Sequence, residues 1–182
     1  MRLNWFSSKR GMYGALVSAL LFSCCVHGHA AVAMATSRIR LYNTHTGKRL
    51  DLVYRIGETF VPEALAKLEC FLGDHRNGHG HPFDPALFDV LSDLANEVGR
   101  NGAEFQVISG YRSPETNEML AATRSGIAKH SLHMQARAID IRLPGTPTAK
   151  LRDAALGMRR GGVGYYRALD FIHVDTGPVR RW

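Results

Sequence analysis

The chain has 182 residues, 45% apolar and 21% charged, which is enough for one buried core and too short for two comfortable domains. Its net charge of +7 comes from 23 basic and 16 acidic side chains. Three of the basic and none of the acidic residues lie in the first 35, so 20 against 16, or +4, remain beyond them, which is the ordinary balance of a solvated face.

Arg2, Lys9 and Arg10 precede an apolar run from Met12 to Val26, followed by the small-residue segment His29-Ala-Ala-Val-Ala-Met-Ala35. That order reads as a secretory signal over residues 1–35, with an apolar run too short for a comfortable membrane span. Residues 36–182 are then the exported domain. Cleavage fits after Ala30, Ala33 or Ala35. Leu21-Phe-Ser-Cys24 is a loose lipoprotein box, so membrane attachment is expected only with lipidation at Cys24. Lys9-Arg10 also resembles a degenerate twin-arginine signal. Cys24 and Cys25 fall in this segment, leaving Cys70 alone in the exported domain and no intramolecular disulfide to support it.

Arg38–Tyr42 and Lys48–Tyr54 alternate at period two around the turn-forming Asn43-Thr-His-Thr-Gly47, which predicts a β-hairpin. Pro62 opens a helix with Leu65, Leu68 and Leu72 on one face, and Cys70 reads as a small core residue beside it. The loop Asp74–Pro82 holds His75, His79 and His81 among glycines, with no rigid element to fix them as ligands, so they read as solvated. Asp84-Pro85 caps a strong amphipathic helix carrying Leu87, Leu91, Leu94 and Val98. Glu104–Ser109 is a predicted strand, and Gly110-Tyr-Arg112 turns into a helix with Ser113 as N-cap and Pro114 first. Thr146-Pro147 caps a fourth helix, which Arg159-Arg-Gly-Gly162 ends. Val163–Tyr166 and Phe171–Val174 form a terminal hairpin around Arg167–Asp170. Strands and helices mix without regular βαβ alternation, so the fold class is α+β, a single compact domain with a mostly antiparallel central sheet flanked by helices.

Ser131-Leu-His-Met-Gln-Ala-Arg-Ala-Ile-Asp140 sets an imidazole and a carboxylate seven residues apart and runs into an apolar strand. His133, Asp140 and His173, the last on a second apolar strand, make a ligand set that zinc accepts, with a fourth position left open. A core histidine and a salt-bridged aspartate are the alternatives. Arg112 is either a surface ion-pair partner or a stem packed on Tyr111, or else a cation facing a substrate oxygen.

Ser131-x-His133-x-x-Ala136-x-Ala138-x-Asp140 resembles the metal motif Ser-x-His-x-x-Gly-x-Ala-x-Asp of the zinc D-alanyl-D-alanine peptidase family. Ser109-Gly-Tyr-Arg112-Ser is similar to that family's upstream arginine motif, and His173 falls where its last zinc ligand stands. Ile108–Ser113, Gly161–Tyr166 and His173–Pro178 most resemble the family's exported murein endopeptidase branch. The resemblance implies a zinc cleft at the sheet with Zn2+ on His133, Asp140 and His173, Arg112 stabilising the oxyanion, and Ser131 supporting the ligands. Ala136 stands in the glycine slot, which is tolerable on ordinary β backbone.

Where the family has Glu three residues before the last histidine, this chain has Asp170, one methylene shorter. Asp170 is the favoured general base and Asp175 the competitor. On a strand, Asp175 shares the face of His173, whereas Asp170 needs a turn to point inward. The implied function is hydrolysis of peptidoglycan cross-links, D-alanyl-diaminopimelate or diaminopimelate-diaminopimelate, in the periplasm. A non-catalytic murein-binding module is the alternative. Peptidoglycan stem peptides are the expected partners, with no nucleic acid and a monomeric state.

Overall fold

The computed structural model describes Met1, residues 34–123 and residues 126–182. Residues 2–33, which hold the apolar run and Cys24 of the expected signal, lie outside the described residues. Residues 33–182 form one compact unit. No helix among the described residues is long and apolar enough to cross a membrane.

Eight strands form one sheet in the order β3-β2-β1-β4-β5-β7-β6-β8. The opening hairpin joins β1 (Thr36–Asn43) to β2 (Arg49–Ile56), and the short β3 (Thr59–Phe60) extends it. The middle of the sheet is β4 (Glu104–Ser109), β5 (Ala138–Arg142) and β7 (Phe171–Asp175), flanked by β6 (Gly162–Tyr166) and β8 (Arg180–Arg181). The sheet is mixed: β1 pairs with β4, and β6 with β8, in parallel, while the other pairings are antiparallel. The N-terminal hairpin therefore joins the rest through a parallel seam. Local alternation carries no trace of that seam.

Helices α1 (Pro62–Leu72), α2 (Ala86–Glu97) and α4 (Thr148–Met158) pack on this sheet. The fourth, α3 (Pro114–Thr123), follows β4. Six residues of α2 are buried, Leu87, Phe88, Val90, Leu91, Leu94 and Ala95, as its apolar spacing predicts. In α1 the buried stripe is narrower, Ala64, Leu68 and Leu72, and Cys70 lies off it. Cys70 is exposed, not the core residue expected, because its position on the helix turns it from the sheet. Helix α3 starts as predicted, with the Ser113 hydroxyl accepting from the backbone N–H of Thr116 at 3.1 Å. Asp84 does the same for Ala86, so α2 begins one residue after Pro85, and α4 begins after Pro147.

Strand alternation decides what the centre of the sheet can do. Ile139, Ile141, Ile172 and Val174 enter the core beside Leu41, Phe105 and the helices. The residues between them, Asp140 and His173, therefore leave by the opposite face. They are also direct partners across the β5–β7 pairing.

Candidate metal centre

His133 is delivered by a single turn of 3-10 helix, Leu132–Gln135, rather than by a strand. The Ser131 hydroxyl accepts from the His133 backbone N–H at 3.4 Å and starts that turn. The turn stops at Ala136, whose backbone is left-handed, with φ 50° and ψ 38°. The ordinary β backbone expected there does not occur, and the glycine of the related motif is explained by the conformation. A return bond from the Arg112 N–H to the His133 carbonyl, at 3.2 Å, ties this turn to the arginine turn after β4.

The ring of His133 is oriented by backbone. Its Nδ1 lies 2.7 Å from the Gly110 carbonyl, which can only accept, so Nδ1 carries the proton and Nε2 presents a lone pair. Gly110 has no room for a side chain, because a Cβ would collide with the carbonyl oxygen of Leu72 at the end of α1. His173 is oriented by a carboxylate: Nε2 donates to Asp175 Oδ2 at 2.9 Å, leaving Nδ1 toward Asp140.

Three donor atoms then converge. Asp140 Oδ1 is 3.3 Å from His133 Nε2 and 3.0 Å from His173 Nδ1, and the two nitrogens are 3.2 Å apart. All three residues are buried. Ligands about 2.0–2.1 Å from a tetrahedral ion stand about 3.3–3.4 Å apart, so donor type and spacing both suit a small divalent cation. Burial opposes the charge on Asp140, but His133 and His173 outweigh it and hold its carboxyl well below the usual range.

Asp175 is enclosed. Besides His173 it accepts from the backbone N–H groups of Gly162 and Gly177, at 2.9 and 2.8 Å, and from both terminal nitrogens of Arg180. These bonds also depress its carboxyl despite burial. Asp170 sits on the turn before β7, also left-handed at φ 53°, with its side chain 65% exposed. It accepts from the Thr148 hydroxyl at 2.8 Å and stands 3.7 Å from Arg142. Neither aspartate lines the cavity above the three donors.

That cavity encloses about 600 Å³. His133, Asp140 and His173 line it together with Arg112, Arg142, Tyr166 and Trp182. Arg112 is only 8% exposed and donates to Asn117 Oδ1 at 3.3 Å. Burial pushes its guanidinium downward from the usual arginine value while nearby Asp140 supports its charge. The Trp182 ring packs 5.0 Å from that of His173, and its Nε1 donates to the Tyr166 hydroxyl at 3.0 Å.

The profile of a peptidase family described as peptidoglycan L,D-endopeptidase MepK matches residues 31–182. The chain belongs to this M15-type peptidase family. A relative named probable peptidoglycan L,D-endopeptidase MepK, from Haemophilus influenzae, is 42% identical over 154 residues, 84% of this chain and 83% of that protein. The peptidoglycan L,D-endopeptidase MepK of Escherichia coli K12 is 39% identical over 183 residues, 99% of this chain and 100% of its own. M15 peptidases are metallopeptidases, and the converging donors are the residues that could hold their metal.

Several contributors escaped sequence reading. Asn117, Asp74 and Arg142 are ordinary polar residues in helix, loop and strand patterns. Asp74 is buried and accepts from the Ser113 N–H at 3.0 Å and the Arg76 N–H at 3.1 Å, joining the histidine-rich loop to α3. His75, His79 and His81 of that loop are exposed, as expected of solvated residues. Only the Asp74-x-x-Asn77 turn chemistry hinted at an ordered loop.

Proposed function

We propose that the chain is an exported, zinc-dependent murein endopeptidase that hydrolyses peptide cross-links in peptidoglycan. The observation that carries this reading is the buried convergence of His133 Nε2, Asp140 Oδ1 and His173 Nδ1 beneath a cavity that also holds Arg112. The names of the relatives favour the bond joining an L-configured acyl centre to a D-configured amine centre, as between two diaminopimelate residues, over the D-alanyl-diaminopimelate bond. Residues 1–35 would serve export and residues 36–182 catalysis, in a monomer acting in the periplasm.

A zinc ion held by His133, Asp140 and His173 would polarise the scissile carbonyl and make water nucleophilic near neutral pH. The chain's own residues supply the rest. Gly110 and Asp175 fix the tautomers of the two imidazoles, so both donors keep a lone pair ready. Arg112, buried and fixed by Asn117, faces the negative charge that develops on the carbonyl oxygen. Asp175 is saturated by its own acceptor bonds; Asp170, at the place of the family's glutamate, is the group we assign to deliver a proton to the leaving amine, a role that requires its exposed side chain to leave Thr148 and turn into the cavity.

Muropeptide digestion followed by mass spectrometry, run beside metal analysis, tests each role. His133→Ala is expected to lose both zinc and cleavage. Asp170→Asn should keep zinc and lower kcat by about 10²-fold or more, whereas Asp175→Asn should weaken zinc affinity about 10–100-fold. Full activity in a metal-free His133→Ala protein would refute the zinc peptidase. Intact murein binding with no turnover in the zinc-loaded wild type would point to a binding module instead.

A further inference from the structure

Among the described residues, three buried side-chain nitrogens have no hydrogen-bond partner, the Nε atoms of Arg55, Arg112 and Arg142. Arg55 Nε still lies 3.1 Å from Asp89 Oδ1, within an ion pair. The other two belong to guanidiniums that line the cavity over His133, Asp140 and His173. Both Nε atoms are closed off from solvent, so a ligand in the cavity meets the accessible remainder of each guanidinium, and the Arg142 side chain is 35% exposed. In the peptidase reading above, on which this inference rests, Arg112 is used by the scissile carbonyl. Arg142 has no acceptor assigned.

Arg142 follows Asp140 by two residues on β5, so it shares that face and its Cα stands about 7 Å farther along the strand. Its one ionic partner among the described residues is weak: Nη1 is 3.7 Å from Oδ2 of the exposed Asp170. Of the other cavity arginines, Arg180 is held at 2.7 Å by the buried Asp175, and Arg76 stands 3.7 Å from Asp74, a contact of the same length as that of Arg142 but to a fully buried carboxylate, where screening by water is weaker. Arg142 is therefore the guanidinium with a fork to offer, and a fork of this kind fits a carboxylate.

The substrate supplies one. Whichever diaminopimelate cross-link is cut, the carbon bearing the scissile nitrogen also bears a free carboxylate. The geometry points to Arg142 as the residue that binds this carboxylate on the leaving-amine side. It makes the enzyme selective for cross-links whose amine-side residue is free rather than amidated.

The test compares two cross-linked muropeptides that differ only in having a carboxylate or a carboxamide on that carbon. For the zinc-loaded wild type, kcat/KM should favour the carboxylate by about tenfold to a hundredfold, as expected for a charge-assisted pair. Arg142→Gln should collapse the ratio toward one, and Arg142→Lys should keep part of it. The ratio is taken on a single preparation, so partial unfolding of a variant does not distort it. Calorimetric binding of the free and amidated cleavage products gives the same comparison without turnover. Arg142→Gln with the wild-type ratio, or a wild type indifferent to amidation, overturns the assignment while leaving the peptidase intact. A wild type that cleaves neither substrate overturns the peptidase reading itself, and this inference with it.

Discussion

His173 lies between two carboxylates, and its surroundings set how the site responds to pH. Burial disfavours the charged imidazole, but Asp140 and Asp175 outweigh burial and raise it above its ordinary value. In the metal-free protein this contribution to stability is fully present below about pH 6.5 and is lost as pH rises through the raised value. The depressed Asp140 and Asp175 act oppositely: their contribution is present above about pH 3.9 and lost as pH falls. A cation competes with the proton on His173 Nδ1. Zinc affinity should therefore begin to fall at a pH above 6.5 and lose about tenfold per unit below that point, measured by chelator competition. A flat affinity between pH 8 and 6 would contradict this account. Ala136 offers a second test. Its left-handed backbone costs about 1 kcal/mol, and glycine would relieve that while losing a buried methyl worth about 0.8 kcal/mol. Ala136→Gly should thus be near neutral in urea denaturation. Ala136→Val, β-branched at positive φ with no room, should lose about 3 kcal/mol or more.

At the scale of elements, the site depends on how the β4–α3 turn meets the end of α1. The Tyr111 N–H donates to the Leu72 carbonyl at 2.8 Å, and the Gly110 carbonyl one residue earlier holds the His133 ring. A methyl group on Gly110 forces these two elements apart. Gly110→Ala is expected to weaken zinc binding and activity about 10–100-fold while far-ultraviolet circular dichroism stays native; unchanged zinc affinity would count against the coupling. Much of this scale was legible in sequence, because hairpin alternation, the α2 stripe and the Ser113 cap are local patterns. The 3-10 turn at His133 was not, since a single turn has no periodicity and its stop at Ala136 lacks the usual glycine. Cys70 was misread for a related reason. Only a narrow stripe of α1 meets the sheet, and sequence spacing does not give its width.

For the whole molecule, the convergence of His133, Asp140 and His173 could be anticipated because ordered motifs fixed which residues mattered. The parallel β1–β4 seam could not, since it joins segments about sixty residues apart with no local signal. A cation bound to donors that meet only in the folded sheet stabilises that sheet by mass action. At a free zinc concentration a hundred times Kd, the gain is about 2.7 kcal/mol, or about 5–10 °C in Tm for a domain of this size. Thermal melts with zinc and with chelator should differ by that amount in the wild type and not at all in His133→Ala. The pairing of Asp140 with His173 adds a further consequence. Sliding β7 by one residue along β5 would exchange His173 for an apolar neighbour and turn its imidazole to the other side. Misaligned folding intermediates then have no place for the ion. Zinc would act as a proofreader of strand alignment, trapping correctly threaded chains as they form, so refolding yield should rise more when zinc is present from the start than when it is added at the end.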